Sequence, residues 1–166
     1  MSKNGIINII KILQKGVFYN MNTTTDLIQG FDPTRECNNI RWNCIDFALC
    51  NPDAHPLFEK LLRNSDDASV VELFKKTCQY LGIAATQLSF TDNLDDFENV
   101  IVFYWWEQED RVWGFHYTDY HFLRKTGRIW HGKDGQNSTP EPFPRDQLEF
   151  VFNQYDPDQK AIFAIE

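Results

Sequence analysis

The chain has 166 residues, of which 42% are hydrophobic and 15% aromatic; this apolar fraction excludes wholesale disorder, and the length predicts a single domain over 1–166. The 16 Lys and Arg residues stand against 24 Asp and Glu, which gives a net charge of −8. Because nucleic acids and anionic membranes attract positive charge, we expect no nucleic acid and no membrane as a partner.

The N-terminal segment shows no pattern of membrane insertion or of a secretory signal. Its apolar stretch over 6–13 is interrupted by Lys11, and it is shorter than the ~18 apolar residues that a transmembrane helix needs. No small-residue cleavage site follows it, so we expect a cytoplasmic protein, or one exported without a conventional signal peptide as some effectors and toxins are. The spacing within 6–13 is typical of a short docking helix, inside an irregular or helical lead-in over 1–40.

Three helices are predicted after the lead-in. Apolar residues at i, i+3 and i+4 indicate a short helix that begins at Cys44, with Asn43 as its N-cap and Pro52 beyond its end. The segment 57–63 is a second helical piece. A third helix over 69–81 has the clearest apolar stripe in the chain.

From residue 99 onward, the helical period gives way to extended segments rich in β-branched and aromatic residues. The predicted strands are 99–107, a long stretch over 111–125, a return over 128–131 and a final strand over 160–165. A polar turn separates the first two strands, and a long loop is predicted over 132–146. Helices followed by antiparallel strands predict an α+β fold, with N-terminal helices packed on an antiparallel β-meander.

The chain has four cysteines, which are Cys37, Cys44, Cys50 and Cys78. Their spacings match no common zinc pattern, and because no signal peptide is predicted we expect four thiols rather than a disulfide framework. The thiolate is the reactive form of cysteine, and the N-terminus of a helix favours it. Cys44 at the start of its helix is therefore the best candidate, and the free N–H groups there could stabilise an oxyanion.

His121 and His131 flank a short turn that contains Gly127, and the length of this turn decides whether the two rings meet. A three-residue turn with Gly127 in a left-handed conformation places them directly opposite each other on one face of the sheet. A two-residue turn would place them on opposite faces. Gly127 at the third position favours the longer turn, so one histidine could act as a base that the other orients. His55 is predicted in an exposed loop, and His116 on the other face of the strand from His121.

Two segments combine a cysteine, a histidine and polar residues in a definite order. In WNCIDFAL (42–49) a cysteine opens a helix, and in DYHFLRKTGRIWHGKDG (119–135) a histidine on a strand precedes a turn and polar residues on the return strand. Together they resemble the papain-like cysteine hydrolases, and within them the NlpC-like branch. The resemblance implies a papain-like α+β fold in which Cys44 is the nucleophile, His121 the base and His131 the residue that orients the base.

Two parts of this pattern leave alternatives open. Asp119 or Asp134 could replace His131 as the third member of the triad, although a partner on the adjacent strand aims better at the far ring nitrogen of His121 than Asp119 does. Papain-like enzymes carry a glutamine ahead of the cysteine as an oxyanion donor. The nearest amides in this chain are Asn38, Asn39 and Asn43.

The resemblance implies a hydrolase or acyl transferase that acts on an amide bond of a peptide or protein through a thioester, as a peptidase, an amidase or a glutamine deamidase. It implies no cofactor. An alternative is a non-catalytic acidic interaction protein of the inhibitor or immunity type, whose charge would speed its encounter with a basic target. A third is a metal protein with Cys44, His121 and His131 as ligands, which the ligand spacing does not favour.

Overall fold

The computed structural model of the protein describes residues 28–33, 35, 39, 41–65, 68–110, 112–143, 148–149 and 153–166. The docking helix predicted over 6–13 and most of the lead-in over 1–40 lie outside these residues, and so does Cys37. None of the helices in the described part of the chain has the length and apolar character needed to cross a membrane.

Three α-helices in the described residues confirm the helices predicted from the sequence. They are α1 (Cys44–Leu49), α2 (Ala54–Asn64) and α3 (Val70–Tyr80), and short 3-10 helices span Leu94–Asp96 and Pro157–Gln159. At the start of α3, Ser69 Oγ accepts a hydrogen bond of 3.2 Å from the Glu72 N–H, as an N-cap does. Helix α2 begins before the predicted segment, because Pro56 in its first turn has no N–H whose hydrogen bond would be lost.

A six-stranded antiparallel sheet joins these helices in an α+β fold. Its strands are β1 (Ala85–Leu88), β2 (Asn99–Glu109), β3 (His116–Thr126), β4 (Ile129–Gly132), β5 (Glu141–Pro142) and β6 (Lys160–Ile165). The spatial order β1-β6-β2-β3-β4-β5 confirms the predicted meander for β2 to β4, whereas β6 returns between β1 and β2. Strands β1 and β5 are not predicted from the sequence, because they are short and largely exposed and so lack an apolar alternation.

The two faces of the sheet carry separate apolar clusters, because side chains alternate along each strand. The helices cover one face, where the ring of Phe74 in α3 lies 5.6 Å from that of Phe122 in β3, between centroids. Leu123 belongs to a smaller cluster on the other face. Cys44 lies in the helix-side cluster, whereas the alternation puts His121 on the face of Leu123. The two candidate residues therefore come from opposite faces of the sheet.

The turn between β3 and β4 contains two residues, Gly127 and Arg128, since Thr126 pairs directly with Ile129. The predicted three-residue turn is therefore wrong. Gly127 has a φ of +59° at the first central position, which is where a type II′ turn places its glycine, and the twist of that turn suits a two-residue hairpin. The register of β4 against β3 consequently differs from the predicted one.

Candidate active site

A reciprocal cap holds Cys44 at the first position of α1. The Asn43 side chain accepts a hydrogen bond from the Cys44 N–H, and the Asn43 N–H donates one of 2.9 Å to Asp46 Oδ2. This capping box defines where the helix begins. The N-cap predicted at Asn43 is thereby confirmed, with Asp46 as a reciprocal partner that was not predicted.

The Cys44 thiol is buried and protonated. The residue is only 3% exposed. Loss of hydration raises the pKa of the thiol to about 12, although the backbone of Phe122 lies within hydrogen-bonding reach and acts in the opposite direction. The lowered pKa predicted from the helix N-terminus is wrong, because desolvation outweighs the partial charge of one short helix.

The His121 ring lies beside the Asp134 carboxylate. Nε2 is 3.8 Å from Asp134 Oδ1, and across the strand pair the ring centroid is 5.7 Å from that of Tyr104. Burial lowers the pKa of His121, while the negative charges of Asp134 and Asp119 oppose that shift. The imidazole is therefore neutral at pH 7, which is the form that can accept a proton.

Cys44, His121 and Asp134 line one cleft with a volume of about 1430 Å³. Asp119, the other alternative for the third position, lines it too, and its Oδ1 accepts a hydrogen bond of 2.9 Å from the Tyr120 N–H. In the described structure the thiol and the imidazole share the cleft without a hydrogen bond between them. The two side chains reach the cleft from opposite faces of the sheet, so proton transfer between them requires the site to rearrange when the substrate binds.

The predicted pairing of His121 with His131 is wrong. His131 pairs with Arg124, because the turn has two residues, and its side chain therefore lies on the other face of the sheet from His121. Continuing the same register beyond the end of β4 brings Asp134 opposite His121, in agreement with the observed contact. Asp134 thus occupies the place predicted for His131, and His131 is not among the described residues that line the cleft.

Of the three asparagines considered as oxyanion donors, the structure places Asn43 in the lining of the cleft. Its Oδ1 is occupied by the cap of α1, which leaves the Nδ2 amide as its donor end. Asn39 is exposed, and its Oδ1 accepts a hydrogen bond of 2.9 Å from the Arg41 N–H. Asn38 lies outside the described residues.

Two further histidines line the cleft. His55 is predicted in an exposed loop, and this is wrong, because it is a half-buried residue of α2 whose N–H donates a hydrogen bond of 2.7 Å to Asp46 Oδ1. That bond joins the start of α2 to the cap of α1. His116 is exposed, and the alternation along β3 places it on the other face from His121, as predicted.

A network centred on one carboxylate lies on the helix side of the cleft and was not predicted. Tyr120 Oη donates a hydrogen bond of 2.7 Å to Glu59 Oε1, Arg63 lies 3.1 Å from Glu59 Oε2, and His55 Nε2 lies 4.0 Å from Oε1. His55, Glu59 and Arg63 are spaced at i, i+4 and i+8 on one face of α2, and this spacing is a signal that could have identified them. Their partner Tyr120 comes from β3 and carries no such local signal.

A buried lysine adds a positive charge near the site. Lys133 is 1% exposed, and its Nζ donates a hydrogen bond to the Gly135 carbonyl oxygen and lies 3.5 Å from Ser138 Oγ. Its charge lowers the pKa of Asp46, but burial of that carboxyl dominates and raises its pKa to about 7. The positive charge of Lys133 therefore does not offset the desolvation of Asp46.

The cysteines differ in their covalent state. Cys44 and Cys78 are free thiols, whereas Cys50 is disulfide-bonded. The prediction of four thiols is therefore wrong for Cys50, because spacing along the chain does not reveal which sulfur atoms come within bonding distance.

Neither a metal site nor a known relative identifies the chemistry of this cleft. Among the described residues, no group of three or more His, Cys, Asp and Glu side chains could hold a metal ion. No family model, no curated protein and no solved structure matches the chain.

Proposed function

We propose that the protein is a cysteine-dependent hydrolase or acyl transferase with a papain-like arrangement, which acts on an amide bond through a thioester on Cys44. The observation that carries this proposal is the 3.8 Å contact of His121 Nε2 with Asp134 Oδ1, in the cleft that Cys44 also lines. A nucleophile, a base and a carboxylate that orients the base are the groups that this chemistry requires. The packing of helices on one face of an antiparallel sheet supports the same arrangement.

The proposed reaction starts from neutral groups. Burial raises the pKa of Cys44 to about 12 and lowers that of His121, so the resting pair is a thiol and a neutral imidazole rather than an ion pair. As the sulfur attacks the substrate carbonyl carbon, His121 takes the thiol proton on Nδ1, the ring nitrogen that does not face Asp134. The carboxylate of Asp134 then stabilises the imidazolium that forms.

The tetrahedral intermediate collapses when His121 gives this proton to the leaving nitrogen. The C–N bond breaks, an amine or ammonia leaves, and the acyl group remains on Cys44 as a thioester. Water, or another acceptor in a transferase, then attacks the thioester with His121 again as the base, and the thiol is restored. The Nδ2 amide of Asn43 is the donor that we propose for the oxyanion of both steps.

A non-catalytic role is the second candidate, and two features of exposure favour it. Cys44 is 3% exposed, as a core residue would be, while Val112 and Trp113 between β2 and β3 are 79% and 69% exposed. Exposed apolar side chains of this kind are typical of surfaces that bind another protein. In that case Cys44 has a packing role, and the chain is an acidic inhibitor or immunity-type protein.

Acylation by an activated ester separates the two candidates. The full chain is mixed with p-nitrophenyl acetate, p-nitrophenol release is followed, and peptide mass mapping identifies the acetylated residue. We expect an acetyl thioester on Cys44 that is absent from Cys44→Ala. His121→Ala should slow its formation by about 10²–10⁴-fold, the range for loss of a general base.

His131→Ala is the matched control, because it removes an imidazole from the same hairpin without touching the cleft. Its acylation rate should equal that of the unmodified protein. Equal losses in the His121 and His131 variants, or no acetyl group on Cys44, would contradict the hydrolase and favour the binding protein.

A further inference from the structure

We infer that the cleft binds an extended, basic segment of a peptide or protein along the free edge of β3. This inference deepens the proposed function by naming its substrate class, and it depends on that function only for the chemistry that follows binding. It is supported by the strand edge, by the charge of the cleft and by its aromatic wall.

Within the part of the chain that the structure describes, strand β3 has a free edge where it borders the cleft. Among the described residues it pairs with β4 only through Leu123–Thr126, and the chain beyond β4 continues beside Phe122 and His121. The segment 116–120 therefore has β2 on one side and no described strand on the other. All residues from 116 to 121 line the cleft. The Tyr120 N–H donates to the side chain of Asp119 instead of to a strand, so this backbone group points away from β2. An edge of this kind accepts an extended peptide as an additional strand.

The cleft is strongly acidic. In the described structure its charged lining consists of one arginine, Arg63, and five carboxylates, which are those of Glu59, Glu107, Asp119, Asp134 and Asp158. The arginine is already paired with Glu59 at 3.1 Å, and the side chain of Asp134 is 95% exposed. The remaining carboxylates favour a ligand with Lys or Arg side chains and repel an acidic one.

Aromatic side chains form a wall of the same cleft. Trp105, Trp106, Phe115 and Tyr117 line it, and Phe115 and Tyr117 are 40% and 41% exposed. An aromatic face attracts the cation of Lys or Arg and also packs against the alkyl stem of these side chains. Carboxylates beside aromatic rings therefore favour a basic segment over a purely apolar one.

The free edge leads to the proposed nucleophile. The backbone of Phe122, two residues beyond the segment with the free edge, lies within hydrogen-bonding reach of the Cys44 thiol. A peptide paired along 116–120 would therefore run toward Cys44 at one of its ends.

Binding to the full-length Cys44→Ala variant tests this inference without requiring turnover. The probes are a fluorescein-labelled peptide of five Lys-Thr repeats, a Glu-Thr peptide of the same length, and Lys-Thr peptides N-methylated at alternate residues in either register. Fluorescence anisotropy should show the Lys-Thr peptide binding at least about tenfold more tightly than the Glu-Thr peptide. Its affinity should fall as the salt concentration rises from about 0.05 to 0.5 M, and N-methylation in at least one register should weaken it.

A pair of double variants localises the binding. Glu107→Gln with Asp158→Asn removes two cleft charges at nearly constant shape and should weaken the Lys-Thr peptide by about tenfold. Glu98→Gln with Glu141→Gln removes two exposed charges outside the cleft lining and should not weaken it. Equal losses in both variants, equal affinity for the acidic peptide, or full affinity for both N-methylated peptides would overturn the inference.

These outcomes are distinct from a failure of the proposed function. If the basic peptide binds but Cys44 is not acylated by the ester, the proposed hydrolase function is wrong and the inferred peptide binding in the cleft stands. If Cys44 is acylated but the basic peptide does not bind preferentially, only the inference of basic peptide binding in the cleft is wrong.

Discussion

The Arg124 guanidinium donates a hydrogen bond of 3.2 Å to the carbonyl oxygen of Phe47 and lies 4.7 Å from the centroid of the Phe47 ring. Arg124 belongs to β3, the strand of His121, whereas Phe47 belongs to α1, the helix that begins at Cys44. The buried Arg124 cation thus links the helix of the proposed nucleophile to the strand of the proposed base through these two contacts. It also places positive charge near the carbonyl end of α1, which the helix dipole favours.

Replacing Arg124 with Met keeps the length of the side chain and removes its charge. We expect the free energy of unfolding to fall by about 2–3 kcal/mol, because the buried Phe47 carbonyl loses a charged donor, and we expect slower acylation of Cys44. Arg63→Met is the matched control, since its ion pair with Glu59 is on the surface and should contribute less than about 1 kcal/mol. Urea unfolding measures both variants. Equal losses would show that Arg124 does not fasten the helix to the strand.

Alkylation of Cys44 should be slow at neutral pH. A pKa of about 12 leaves so little thiolate that iodoacetamide should react roughly 10³-fold more slowly than with an exposed cysteine. The rate should rise about tenfold for each pH unit in the alkaline range. Cys78 is 1% exposed and its pKa is also raised to about 12. Its alkylation, followed by peptide mass mapping in the same sample, is therefore the internal reference for slow labelling. Rapid labelling of Cys44 at mildly acidic pH would instead show a stabilised thiolate.

The acid limb of the pH–rate profile for acylation should lie below pH 6.5. Burial lowers the pKa of His121 from that ordinary value, and the neutral ring is the proposed base. Asp134→Asn removes a charge that raises this pKa, so the limb should move to still lower pH. The acylation rate of Asp134→Asn at pH 7 should fall by roughly tenfold. This is far less than the ~10⁴-fold loss of rate when a buried triad carboxylate is replaced, because the Asp134 side chain is 95% exposed.

His131→Asn serves as the control for that profile, since His131 is paired with Arg124 and lies outside the cleft lining. It should leave the acid limb in place. An upward movement of the limb in Asp134→Asn, or identical movements in both variants, would exclude Asp134 as the carboxylate that faces the base.

Asp46 should make stability decline as the pH rises through neutrality. Burial raises its pKa from 3.8 to about 7, so the folded protein holds a proton that the unfolded chain releases. A group whose pKa is raised on folding contributes its full stability below the unfolded value and loses it as the pH rises through the folded value. The contribution should therefore be complete below pH 3.8 and should disappear through about pH 7.

Asp46→Asn isolates this effect, because the amide does not titrate. The substitution also replaces one of the two oxygens that accept the Asn43 and His55 N–H groups, but that cost does not vary with pH. Urea unfolding between about pH 4 and 8 should show the stability difference between unmodified protein and variant shrinking as the pH rises. A difference that grows over this interval would contradict the protonated carboxyl.

Elements that depend only on residues close together along the chain could be predicted from the sequence. The caps at Asn43 and Ser69 and the strand Lys160–Ile165 each follow from a pattern spanning a few residues, and the structure confirms them. The hairpin register was predicted wrongly, although its signal is also local. Glycine is compatible both with the third position of a longer turn and with the first central position of a type II′ turn, and composition alone does not distinguish them.

The partners within the site depend on distant contacts and could not be read from local patterns. Tyr120 meets Glu59 only because α2 packs on β3. The pKa of Cys44 is set by how completely the core removes water from the thiol, which outweighs the helix-end effect that the sequence does indicate. Asp134 rather than His131 faces His121 as a consequence of the turn.

Gly127 should therefore be the most sensitive position of the β3–β4 turn. A Cβ atom added there would meet nothing within 4 Å, so any cost of substitution comes from its φ of +59°. Gly127→Ala should lower the free energy of unfolding by about 1–2 kcal/mol, the cost of a left-handed backbone for an L-residue. Arg128→Ala in the same turn should change it by less than about 0.5 kcal/mol. Thermal or urea unfolding compares them, and a D-alanine at position 127, introduced by chemical ligation, should restore the loss. If Ala is tolerated at 127 as well as at 128, the turn is not the two-residue form, and the register that places Asp134 opposite His121 loses its support.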